Sequence, residues 1–114
     1  MTESQIQAQI LRSLGSRPDV RLFRNNVAQA WTGELVTRRP DGSIILAHAR
    51  PLHSGLFVGS ADLIGWHHGR FLSLEVKSST GRPTADQINW RDQVNLAGGI
   101  AGIVRSVEEA EALL

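Results

Sequence analysis

The sequence contains no cysteine, no tyrosine, one methionine and a single lysine, Lys77, beside eleven arginines. Without cysteine there is no disulfide framework and no thiolate metal site. Aromatic residues make up only 5% of the chain. No apolar run approaches the roughly 20 residues that span a bilayer. The opening "MTESQIQAQI" lacks the basic-then-apolar order of a signal peptide, so the expected location is the cytoplasm.

What is present fits a globular chain. There are 114 residues, 41% hydrophobic and 20% charged. That suits a single domain over 1–114 with one modest core. The net charge is +1, but "EEAE" at 108–111 holds three of the eleven acids. Up to residue 107 there are twelve bases and eight acids, a surplus of four. Such a surplus suits a polyanionic partner, and is also common in domains that bind no nucleic acid.

Periodicity predicts α, β, hairpin, β-β, α, β, α, which is a mixed β-sheet flanked by helices. The first helix carries Ile6, Ile10 and Leu14 at helical spacing, with Thr2 and Gln5 as a capping box. "VRLFRNN" reads as a strand, and "GELVTRRPDGSIILAHA" as a hairpin turning at Pro40-Asp41-Gly42. "RPLHSGLFVGS" reads as a loop whose glycines allow close backbone approach. "ADLIGW" and "RFLSLEVK" read as paired strands. The helix in "TADQINWRDQVNLAGG" has Thr84 and Gln87 as its capping box and Gly98-Gly99 as its stop. "IAGIVRS" is a last strand, and Ser106 with Glu109 suggests a third capping box on a short terminal helix.

The strands hold the chemistry. In "RFLSLEVK", Leu72, Leu74 and Val76 face one way; Ser73, Glu75 and Lys77 face the other. If His68-Gly69 make a two-residue turn, His67 pairs with Arg70 and Asp62 falls opposite Glu75. Facing carboxylates repel unless compensated, and a divalent cation with hard oxygen ligands would compensate them. A neighbouring ammonium would orient water or meet developing negative charge. Lysine suits that task because its pKa can fall on burial, whereas arginine stays protonated. The alternative is a solvated Glu75–Lys77 ion pair.

"GSADLIGW", the thirteen positions from Asp62 to Glu75, "LEVKSSTGRPTADQ" and "AGGIAGIVRSVEEA" together resemble the VRR-NUC domain. This is a branch of the PD-(D/E)xK nucleases, here most similar to small stand-alone phage and prophage forms. The resemblance covers nearly the whole chain and is weakest over 30–52. It implies a restriction-endonuclease-like fold and Mg²⁺- or Mn²⁺-dependent DNA cleavage. It makes Asp62 and Glu75 metal ligands, with the Val76 carbonyl beside them, and Lys77 the catalytic lysine. "SAD" lacks the proline of the superfamily's name. Gln87 matches a helix glutamine near the lysine, the water shell or the phosphate, and Glu3 a first-helix glutamate of the metal cluster. Both also have ordinary readings, Gln87 as a cap and Glu3 as a partner of the helix dipole. Stand-alone members resemble Holliday junction resolvases, which implies branched DNA, a role in recombination or repair, and a homodimer with two active sites. A bacterial host cell is then the expected setting.

Other residues draw plainer expectations. Arg82 and Ser78, just past Lys77, and Arg24 and Arg70 are candidate phosphate contacts, as are Arg38, Arg39 and Arg50. The three tryptophans, Trp31, Trp66 and Trp90, are expected in the core rather than stacked on bases. His67 and His68 fall at a turn, and neighbouring strand residues point apart, so they are expected to be a poor chelating pair. His48 and His53 have no partner at ligand spacing. The competing functions are a flap- or nick-directed nuclease and a non-catalytic DNA-binding or assembly module on the same fold.

Overall fold

A computed structural model describes residues 1–26 and 28–114. Its elements run α1 (Glu3–Gly15), β1 (Val20–Arg24), β2 (Ala28–Arg38), β3 (Ile44–Ser54), β4 (Leu63–His67), β5 (Arg70–Val76), α2 (Ala85–Leu96), β6 (Ile100–Val104) and α3 (Val107–Glu111). They form two compact units, one of Met1–Asn25 with Leu56–Leu114 and one of Asn26–Gly55.

The larger unit is a mixed α/β fold, a central sheet in the order β1-β4-β5-β6 flanked by helices. β1, β4 and β5 are antiparallel, while β5 and β6 run parallel. The alternation in β5 sorts its side chains between two helical layers. Leu72, Leu74 and Val76 join Ile6, Ile10 and Leu14 of α1, with Val20, Leu63, Ile100, Val104 and Ala110, in one buried cluster. On the opposite face Ser73 accepts a 2.9 Å hydrogen bond from Trp90 Nε1 of α2. Phe71 meets Trp90 edge-on at 6.4 Å. Each fully buried leucine in this cluster contributes about 1.5–3 kcal/mol over an exposed one.

Capping fixes where the two longer helices start. Thr2 and Gln5 close one capping box, and Thr84 and Gln87 the other. α3 differs from expectation. Ser106 caps it by accepting from Glu109 N, but the Glu109 carboxylate turns away to accept from Arg105 N at 2.6 Å. α2 ends at an Ala97 cap, with Gly98 at φ 95° just beyond.

Two glycines are required by contact rather than by composition. Gly65 of β4 faces Leu22 of β1, and a Cβ there would stand 1.7 Å from the Arg21 carbonyl oxygen. A Cβ on Gly59, which has φ 86°, would stand 2.6 Å from the Asp86 backbone.

The smaller unit is the β2–β3 hairpin. Its turn is as expected: Asp41 Oδ1 accepts from Ser43 N, and Gly42 has φ 89°. Its strands are longer than the sequence suggested, because β3 runs on through Arg50–Ser54, read above as loop. Pro51 pairs with Trp31 inside it. A two-stranded ribbon tolerates proline because each strand has one edge that needs no donor. The register shifts twice, between Thr32 and Glu34 and between Leu35 and Thr37, and His48 takes φ 53° near the first shift.

The tryptophans depart from the core expectation. Trp31 and Trp66 are exposed, at 63% and 52%, and only Trp90 is partly enclosed. Among the described residues no helix is long and apolar enough to cross a membrane.

Candidate functional site

The β4–β5 turn has the expected register. His67 pairs with Arg70, and the ladder runs to Leu63 opposite Leu74. His68 (φ 50°) and Gly69 (φ 75°) occupy its centre, the positive-φ pair that a two-residue type I′ turn requires. One more step would place Asp62 opposite Glu75. There the main chains part: the Asp62 carbonyl accepts from Asn25 N at 2.8 Å, and its Oδ2 accepts from Val76 N at 3.0 Å. The Asp62 carboxylate is therefore anchored at the end of β5, beside Glu75.

Glu75 is 6% exposed and sits at the centre of a cluster. Gln87 Nε2 donates to Glu75 Oε1 at 2.9 Å, and Lys77 Nζ lies 3.6 Å from the same oxygen. Gln87 also accepts from Thr84 N at 2.9 Å, so its two readings, cap and site residue, hold together in one amide. Burial pushes the Glu75 carboxyl up to about 7; the charge of Asp62 pushes the same way, and Lys77 only partly offsets them. Strongly perturbed carboxyls with a specific charged partner concentrate at functional sites.

Glu3 packs against the loop after Lys77. A Cβ on Gly81 would stand 3.1 Å from Glu3 Oε1 and 3.2 Å from Ser78 Oγ. Among the described residues Glu3, Asp62 and Glu75 do not form a group with all ligand atoms within 4.8 Å. Ser78 Oγ accepts from Gly81 N at 3.1 Å. Arg82 and Arg24 are exposed. Arg70 sits at the far end of β5 and donates to the Gly98 and Gly99 carbonyls at 2.9 and 3.1 Å.

Two residues outside the expected set, Asn25 and Arg105, hold this site. Asn25 Nδ2 donates to Ser60 Oγ and to the Ala61 carbonyl, both at 2.9 Å, and Oδ1 accepts from Leu56 N at 3.3 Å. It thereby fixes the segment that delivers Asp62. Arg105 Nη1 donates to the carbonyls of Ser78 and Gly81, the latter at 2.7 Å, and braces the loop after Lys77. The one local hint for Asn25 was its place at a strand end.

The histidine expectation is overturned. Asp19, His67 and His68 bring their ligand atoms within 4.8 Å of one another, a geometry able to chelate a divalent metal and consistent with a metal-dependent enzyme. The alternation argument fails because His68 is outside the strand: its left-handed backbone lets Nε2 reach 3.5 Å from Asp19 Oδ2, beside His67 Nε2 at 3.0 Å. His67 is buried, Asp19 partly so, and His68 exposed. The Arg17 guanidinium, with help from His67, holds the Asp19 carboxyl far below the usual carboxylate range against the opposing effect of burial.

No family model matches the chain, and no curated protein matches it.

Proposed function

We propose that this protein is a Mg²⁺- or Mn²⁺-dependent DNA endonuclease with a restriction-endonuclease-like, VRR-NUC-type PD-(D/E)xK fold. The observation that carries the reading is the convergence on Glu75: Lys77 Nζ at 3.6 Å, Gln87 Nε2 at 2.9 Å, and the Asp62 carboxylate fixed beside it on Val76 N. The donor set suits a hard cation, since two adjacent carboxylates with one ammonium leave an uncompensated negative charge in a buried place. Asp62, Glu75 and the Val76 carbonyl would hold the ion. Glu3, which abuts the Ser78–Gly81 loop, would act through the surrounding water.

When bound, the cation supplies Lewis-acid stabilisation of the charge that develops on the phosphate. Lys77, steadied by Glu75, orients the attacking water or meets that same charge. Gln87 fixes the Glu75 carboxylate. Ser78, Arg82 and Arg24 are the proposed phosphate contacts, the two arginines being exposed, and Arg70 contributes less because its guanidinium is engaged with main-chain carbonyls.

The substrate class best suited to a small chain with one such centre is branched DNA, with four-way junctions cut by a homodimer. The exposed Trp31, Leu35, Ile44 and Leu52 of the β2–β3 hairpin offer apolar surface for that pairing. The proposed origin is a phage or prophage.

The test incubates labelled four-way junction, flap, nicked and linear duplex DNA with Mg²⁺, Mn²⁺ or EDTA, beside Glu75→Ala and Lys77→Ala. Metal-dependent cleavage lost in both variants is expected. DNA binding without cleavage in any metal would instead assign a non-catalytic module, and a monomer in sedimentation at assay concentration would remove the dimer.

A further inference from the structure

We propose that Asp19, His67 and His68 form a second metal site that takes a zinc-class transition ion and is separate from the carboxylate cluster. Two imidazoles with one carboxylate are a donor set for Zn²⁺ and its neighbours, whereas Mg²⁺ prefers oxygen alone. The spacing fits. Bonds of about 2.0–2.1 Å put tetrahedral ligands about 3.3 Å apart. His67 Nε2 and His68 Nε2 lie 3.0 and 3.5 Å from Asp19 Oδ2.

Arg17 holds the carboxylate at both oxygens, Nε to Oδ1 at 3.1 Å and Nη2 to Oδ2 at 2.9 Å. An ion on Oδ2 takes the place of Nη2 there, while the Nε–Oδ1 bond keeps the carboxylate oriented. The His68 side chain is 70% exposed and gives the ion an entry path, while His67 at 11% anchors the inner side. Three protein ligands leave a fourth position open. The site lies at the Arg70 end of β5, five residues from Glu75, about 17 Å along the strand. One ion cannot serve both places. A bound ion would fasten the approach to β1 onto the β4–β5 turn.

The experiment dialyses untagged protein against ZnCl₂ with excess Mg²⁺ and measures retained metal, followed by Co²⁺ substitution read as visible absorption. It compares wild type, the double variant Asp62→Asn/Glu75→Gln, and His68→Asn. His68 is exposed, and asparagine tolerates its left-handed backbone, so that variant keeps the fold, as circular dichroism will verify. Wild type and the double variant should each retain about one Zn²⁺ per chain and show tetrahedral Co²⁺ bands. His68→Asn should bind at least about tenfold more weakly and lose those bands. Zn²⁺ binding unchanged in His68→Asn, binding lost in the double variant, or no retained Zn²⁺ in wild type would each overturn the proposal. None of these readings depends on DNA cleavage, so a failed nuclease assay leaves the site standing.

Discussion

Replacing Glu75 by glutamine should make the metal-free protein more stable at pH 8, although it removes a centrepiece of the proposed active site. The carboxyl titrates near 7 in the folded chain against 4.5 in a free one, because it is buried and faces Asp62. Below pH 4.5 both folded and unfolded forms hold the proton, and the group costs nothing. Between 4.5 and about 7 the unfolded chain ionises first, so stability falls as pH rises; above 7 the full cost is present. At 1.36 kcal/mol per pH unit that cost is about 3 kcal/mol. Glutamine keeps an oxygen to accept from Gln87 and removes the charge. Guanidinium denaturation in EDTA at pH 4.5, 6 and 8 should show wild type losing about 3 kcal/mol more than Glu75→Gln across the range, on the order of 10 °C in Tm. Adding Mg²⁺ or Mn²⁺ at pH 8 should restore wild type and leave the variant nearly unchanged. Parallel pH profiles for the two proteins in EDTA would refute the electrostatic reasoning.

Further outcomes follow from single contacts. Lys77→Arg should keep the fold and reduce DNA cleavage by about 10²–10⁴-fold, since a permanently protonated guanidinium cannot exchange a proton with water; activity near wild type would return Lys77 to the role of an ion-pair partner. Asn25→Ala removes three side-chain hydrogen bonds around the Leu56–Ala61 segment and should cost about 2–3 kcal/mol in chemical denaturation, with cleavage falling further than stability predicts because Asp62 is displaced. Gly65→Ala should cost more than about 3 kcal/mol, because its Cβ would stand 1.7 Å from the Arg21 oxygen and β1 must shift; a soluble variant with wild-type Tm would contradict that packing.

The parts of the fold that were legible are those written in local chemistry. Thr2 with Gln5 and Thr84 with Gln87 mark helix starts through side chains three residues apart, and His68-Gly69 sets the strand register by turn type. What stayed hidden depends on distant chain. Asn25 and Arg105 act through backbone groups more than twenty residues away, and no spacing rule reveals such partners. The Arg50–Ser54 stretch read as loop because the sequence does not say that it has a ribbon partner in β2. Trp31 and Trp66 read as core because burial follows tertiary neighbours rather than residue type. The Asp19–His67–His68 cluster stays hidden for a different reason: His68-Gly69 announces the turn, but strand alternation does not apply to a residue at positive φ, which swings the His68 side chain toward Asp19.

Gln87 has a consequence of its own. One amide both closes the first turn of α2 and holds the Glu75 carboxylate. The onset of the helix and the aim of the carboxylate are thus one mechanical joint: unwinding that turn swings the acid loose. Slow hydrogen exchange at the start of α2 would therefore act as a gauge of how firmly Glu75 is aimed, readable with no substrate present.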